Sequence, residues 1–142
     1  MNVLQGRCHC GSFNVSYRTV YAASDVPARA CDCAFCTRHG AYWSSDAKGV
    51  LRIEGRREYL REYRFGTQTA DFLFCGRCAS VLAAVCDIDH GRYAVVNLAV
   101  LQESACPRRE DATRSSLGDE TIEDRQARRA RNWIPAVEIV LH

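Results

Sequence analysis

Cys31-Asp32-Cys33-Ala34-Phe35-Cys36 puts three cysteines within six residues, and the fold turns on how they are used. Two further pairs stand far from it in the chain, Cys8-His9-Cys10 and Cys75-Gly76-Arg77-Cys78. These motifs take seven of the nine cysteines among 142 residues. A purely structural tetrahedral zinc takes four protein ligands, whereas a catalytic zinc keeps one position open. Seven sulfurs divide naturally as four plus three, which predicts one closed site and one open one.

The division follows from spacing. Cysteines two apart in an extended strand face the same way, so Cys8 and Cys10 are expected to grip one ion together while His9 points away. Cys75-x-x-Cys78 reads as a turn-borne thiolate pair at the end of a strand. The two pairs together predict a four-cysteine site stapling distant segments; the alternative is two unrelated buried pairs. Cys31, Cys33 and Cys36 have three possible completions. A water or a substrate thiol takes the fourth place and the site is catalytic. Cys86 or Cys106 takes it and the site is inert. Or the trio holds an iron–sulfur cluster with a distant fourth cysteine. Three thiolates over-neutralise Zn²⁺ to a net charge of about −1. Such an ion polarises water poorly but suits a fourth sulfur, whose proton it displaces. The chemistry expected is therefore thiol addition or elimination rather than hydrolysis.

Composition is that of an ordinary globular chain, with 47 % apolar and 25 % charged residues. A net charge of +2 gives no case for nucleic acid. Lys48 is the only lysine, so the basic charge is arginine. No stretch approaches a membrane span, and residues 1–11 lack an apolar secretory run. The expected setting is cytoplasmic and reducing, where clustered thiols are metal ligands rather than disulfides.

Clean alternation over Ser12–Arg18 predicts a half-buried strand, and Val50–Glu54 repeats the pattern up to Gly55. Leu60–Phe65, Asp71–Cys75, Val81–Cys86, Tyr93–Leu101 and Val137–Leu141 are further strands. Asp87–Arg92 reads as a hairpin turn. Val81–Cys86 is apolar enough to be buried on both faces. The pattern is a single mainly β, antiparallel domain over residues 1–142. Its exception is the charged segment at about 103–132, where Asp119–Arg131 is a helix candidate with Asp124 and Arg128 as an i,i+4 pair, read as a solvated surface element.

Gly6-Arg7-Cys8-His9-Cys10-Gly11 with Val15-Ser16-Tyr17, then Cys31 to Gly40, then Phe74-Cys75-Gly76-Arg77-Cys78 through Leu82 resemble the three motifs of the glutathione-dependent formaldehyde-activating enzymes. Centromere protein V shares their domain. Gly55, Leu60, Tyr63 and Trp133 fit as well. The resemblance implies a β-tent fold of small antiparallel sheets. It implies two zinc ions, a structural one on Cys8, Cys10, Cys75 and Cys78 and a catalytic one on Cys31, Cys33 and Cys36. It implies a carbon–sulfur lyase that makes S-(hydroxymethyl)glutathione from glutathione and formaldehyde, or acts on a similar thiol–aldehyde adduct. A non-catalytic zinc module for protein or nucleic acid partners is the other reading, and the arginines between Arg108 and Arg131 favour it. Asp32 stands where the family often has histidine, and Ala79 where glycine is usual.

Three other readings concern residues near the trio, and a fourth concerns His90. Arg38 and His39 are candidate cationic groups for an anionic thiol, or a solvated pair. Asp32 either orients a ligand through a hydrogen bond or faces solvent. Tyr42 and Trp43 either pack in the core or line a pocket. His90 is a turn residue.

Overall fold

The computed structural model describes residues 1–142. Strands β1 (Asn2–Arg7) and β2 (Phe13–Thr19) form the first hairpin. Strand β3 (Arg29–Cys31) leads into the short helix α1 (Ala34–His39), and β4 (Trp43–Ser44) follows. Next come β5 (Val50–Gly55), β6 (Leu60–Tyr63), β7 (Asp71–Cys75), β8 (Val81–Ile88) and β9 (Gly91–Asn97). The charged segment supplies β10 (Thr113–Ser115) and helix α2 (Ile122–Asn132), and β11 (Ala136–Leu141) closes the fold. The mainly β architecture expected from the sequence is the one observed.

Two sheets result, one ordered β1-β2-β5-β11 and the other β10-β3-β4-β9-β8-β7-β6. Alternation drives their packing. Phe13, Val15 and Tyr17 on β2 and Leu51 and Ile53 on β5 are all at most 2 % exposed. They face Leu82, Val85, Ala94 and Val96 of the second sheet across the main core. The opposite face of the second sheet buries Ala84, Cys86 and Val95 with Cys36, Trp43 and Trp133 in a smaller core. Strand β8 is thus buried on both faces, as its apolar run predicts.

Several details depart from the sequence reading. Two pairings are parallel rather than antiparallel: β10 beside β3, and β11 beside β5. Strand β9 ends at Asn97 instead of Leu101. The Asn97 side chain accepts the Ala99 N–H and donates to the Val81 carbonyl, which turns the chain into a 3₁₀ turn over Leu98–Val100. Strand β6 ends at Tyr63, two residues early. Cys8 and Cys10 lie outside any strand, in the turn after β1. The Gly11 N–H bonds the Cys8 carbonyl at 3.0 Å, and Gly11 takes φ +81° to allow it. The hairpin turn falls at Asp89 and His90, both with positive φ, as a two-residue primed turn requires.

No helix is long and apolar enough to cross a membrane.

Candidate metal centres and adjoining cavity

The sulfurs of Cys8, Cys10, Cys75 and Cys78 converge, all within 4.8 Å of one another. The first pair comes from the β1–β2 turn and the second from the turn that ends β7. Cys8–Cys10 and Cys10–Cys75 sulfurs are each 3.7 Å apart. Ligands about 2.3 Å from a tetrahedral zinc lie roughly 3.8 Å from one another, so the donor set fits that ion. Backbone and hydroxyl groups hold the sulfurs. The Phe13 N–H donates to Cys8 at 3.3 Å, and the hydroxyls of Ser12 and Ser80 lie 3.1 and 3.3 Å from Cys10 and Cys78. Burial pushes the Cys75 thiol up to about 12. Burial acts the same way on Cys78, but the Ser80 hydroxyl and the N–H groups of Cys10 and Ser80 pull it down to about 5.

Cys31, Cys33 and Cys36 form the second group, again within 4.8 Å of one another. Cys31 ends β3, Cys33 is the N-cap of α1, and Cys36 sits in the helix's first turn. The Cys33 sulfur accepts the Cys36 N–H at 3.4 Å, so the capping bond sets the spacing of the pair. Gly40 in a left-handed conformation stops the helix. The buried Cys36 sulfur accepts the Trp43 indole N–H at 3.3 Å. A hydrogen bond from Cys36 lowers the Cys31 thiol to about 6, against its burial, so one member of the trio is readily a thiolate at neutral pH. Cys36 is shifted upward by the same bond and by burial. Soft donors at this spacing suit a thiophilic ion such as zinc.

Neither Cys86 nor Cys106 joins either group. Cys86 is buried beside Gln126 and Arg129, at 3.3 and 3.4 Å. Cys106 packs against the main core. The trio therefore has no fourth protein sulfur.

Instead the trio opens on a cavity of about 410 Å³. Its floor is the outer face of the second sheet. Phe72 pairs with Ala84 and Ala84 with Val95, so these three form a row across β7, β8 and β9. Trp43, Trp133, Phe65, Ala70 and Leu117 complete the apolar lining. Arg29, Arg125, Arg128 and Arg129 supply the basic part, and Asp32 lies at the exposed edge.

This basic wall is what sequence reasoning missed. The charge pattern of helix α2 predicts a solvated surface element. Its Arg129 is instead 6 % exposed, stacks on Trp133 with 4.8 Å between guanidinium and ring, and bonds Thr69 and Gln126. Arg128 pairs with Glu120 through two bonds of 2.8 and 2.9 Å, not with Asp124. Glu120 lies in the turn before α2, where its carboxylate meets the guanidinium fork squarely. Trp133 one turn beyond Arg129 was the available signal, because an aromatic at i+4 offers a buried guanidinium a stacking partner. Arg38 and His39 are exposed and line no part of the cavity. His39 packs tilted against the Phe35 ring, with centroids 4.4 Å apart.

The sequence model described as glutathione-dependent formaldehyde-activating enzyme matches residues 3–115. A solved structure of a Rhodobacter sphaeroides protein is similar at 31 % identity and a TM-score of 0.58. The match covers 78 % of this chain and 98 % of that one. No curated protein matches. With the three cysteine motifs inside the matched region, the chain belongs to the glutathione-dependent formaldehyde-activating enzyme family.

Proposed function

We propose that the chain is a zinc-dependent carbon–sulfur lyase acting on the adduct of a small thiol, glutathione or one like it, with an aldehyde. The observation that carries this reading is the three-sulfur group without a fourth protein sulfur, facing a cavity. Cys31, Cys33 and Cys36 would hold the catalytic zinc, and Cys8, Cys10, Cys75 and Cys78 a structural one. Bound zinc supplies deprotonation of an incoming thiol by coordination. In the synthetic direction the thiol sulfur bonds the aldehyde carbon, the carbonyl π bond breaks, and the proton ends on the new hydroxyl oxygen. Elimination reverses each change.

The chain's own residues support that chemistry in three ways. Trp43 fixes the Cys36 sulfur. The Phe72–Ala84–Val95 floor limits water around the reacting atoms. The short span of β3 and α1 keeps three donors rigid while leaving one direction free. Arg125, Arg128 and Arg129 line the cavity, which favours the enzyme reading, while Arg108, Arg114 and Arg131 stay on the surface as the partner-binding reading requires.

The test is cobalt substitution followed by titration with glutathione and other cellular thiols. A new sulfur-to-cobalt charge-transfer band that disappears in Cys33→Ala is the expected result. An unperturbed spectrum with every thiol would end the catalytic reading.

A further inference from the structure

The cavity's charge is lopsided. Four arginines line it, and Asp32 is the lone carboxylate among its lining residues. Glu120 engages Arg128 with both oxygens and lies 4.0 Å from Arg125 Nε, beyond a good hydrogen bond. The Nε atoms of Arg125 and Arg129 are buried with no partner. A buried guanidinium N–H left unpaired is costly. Arg129 bonds its neighbours through Nη1 and Arg125 through Nη2, so each keeps its other terminal nitrogen for an anion in the cavity. Burial and the adjacent charges of Arg125 and Arg128 press Arg129 below the ordinary arginine range, although Cys86 offsets part of this.

The second feature is the floor. Ala84 stands at the centre of the Phe72–Ala84–Val95 row, a small side chain between an aromatic ring and a branched one, and all three line the cavity. Trp43 and Trp133 flank it. An apolar group of ring size is the occupant this surface favours, because a fully hydrated polar chain gains little there. Helix α2 lies beyond residue 115, where the family match ends, so three of the four cavity arginines, Arg125, Arg128 and Arg129, belong to this chain's C-terminal segment.

We propose that Arg125 and Arg129 of α2 form an anion subsite, and that the substrate couples a carboxylate or phosphate head, held there, to an apolar ring-sized body lying over Ala84. This rests on the cavity being the substrate site, and it narrows the substrate to an anionic adduct carrying an aromatic or branched apolar group. The sulfur would lie toward Cys31, Cys33 and Cys36 and the anion toward α2, away from the thiolates.

Both tryptophans of the chain line this cavity, so intrinsic fluorescence reports its occupancy directly. The probes are 3-phenylpropionate, phenyl phosphate, the neutral 3-phenylpropionamide, and acetate. None carries a thiol, so the outcome is independent of the sulfur chemistry. The expected result is saturable quenching by 3-phenylpropionate or phenyl phosphate at least tenfold tighter than by the amide or by acetate; the tighter of the two anions names the head group. Arg125→Gln should weaken that binding about tenfold. Ala84→Leu, which puts bulk into the floor, should abolish it, at some cost in melting temperature because Ala84 is buried. Arg129→Gln serves as the second arginine variant, with a thermal melt to confirm folding. Equal affinity for acid and amide, no binding of either anion, or unchanged affinity in both arginine variants overturns the proposal.

Discussion

Trp43 donates its indole N–H to the buried sulfur of Cys36 at 3.3 Å, joining strand β4 to the three-cysteine group. A donor aimed at a thiolate stabilises the charge and fixes the sulfur's direction. Groups of this kind commonly carry a factor of about 10 to 100 in metal affinity. Trp43→Phe keeps most of the ring and deletes the donor. We expect the weaker of two zinc affinities, measured by competition with a chromophoric chelator, to fall about tenfold while the stronger one holds. If neither moves, the bond is incidental to the site.

The motifs legible from sequence are those whose geometry is local. Alternation locates β2 and β5, because period-two burial is written directly into residue order, and a continuous apolar run locates the doubly buried β8. Strand β1 escapes because it is an edge strand with only Leu4 buried, so no alternation marks it. Helix α1 escapes because six residues are too few to show a helical period. The cysteine groups are readable because spacing fixes which sulfurs can meet, even though Cys8 and Cys10 meet through a turn and not a strand. The arginine wall is not readable. Whether a charged helix faces solvent or a cavity depends on tertiary packing, and only Trp133 hints at it.

Cysteine-to-serine changes should separate the two groups by stability. A metal joining the β1–β2 turn to the end of β7 closes a long loop. A cross-link of such span suppresses unfolded-chain entropy by about 4 kcal/mol. Cys31, Cys33 and Cys36 lie within six residues and close almost nothing. Cys8→Ser or Cys75→Ser should therefore lower the melting temperature by roughly 10 °C, and Cys31→Ser by far less. A larger loss in Cys31→Ser would reverse the assignment of structural and open sites.

Ala79 follows the Cys75–Cys78 turn with φ +66°, and its N–H bonds the Cys75 carbonyl at 2.7 Å. A side chain there costs about 1–2 kcal/mol through its Cβ. Glycine removes that strain and gives back about 0.4–1 kcal/mol in unfolded-chain entropy. The relief of strain outweighs the entropy, so Ala79→Gly should stabilise the protein by about 0.5–1 kcal/mol. Chemical denaturation with an unchanged m-value would verify it, whereas a lower midpoint would mean that the alanine methyl makes compensating contacts.

Asp46 lies just beyond β4, which carries Trp43, and it is 6 % exposed. Its carboxylate accepts the Thr19 hydroxyl at 2.7 Å, the Val20 N–H at 2.9 Å and the Lys48 N–H at 2.8 Å. Burial alone would raise its pKa, but these bonds and the Lys48 charge outweigh it and hold the group below the usual carboxylate range. A depressed folded pKa means that the unfolded chain takes up a proton first as the pH falls. The stabilisation is thus complete above the unfolded value of about 3.9 and is lost as the pH drops through the folded one. Asp46→Asn removes the charge and turns an amide N–H₂ toward donors that need an acceptor. At neutral pH it should cost about 1–3 kcal/mol. Urea melts at pH 7 and near pH 3 give the check: the gap between wild type and Asp46→Asn should narrow in acid, because the unfolded carboxyl takes up its proton there before the native one does. A gap that stays constant across that range would mean that the charge of Asp46 contributes nothing and that only its shape matters in anchoring β4 beside the three-cysteine group.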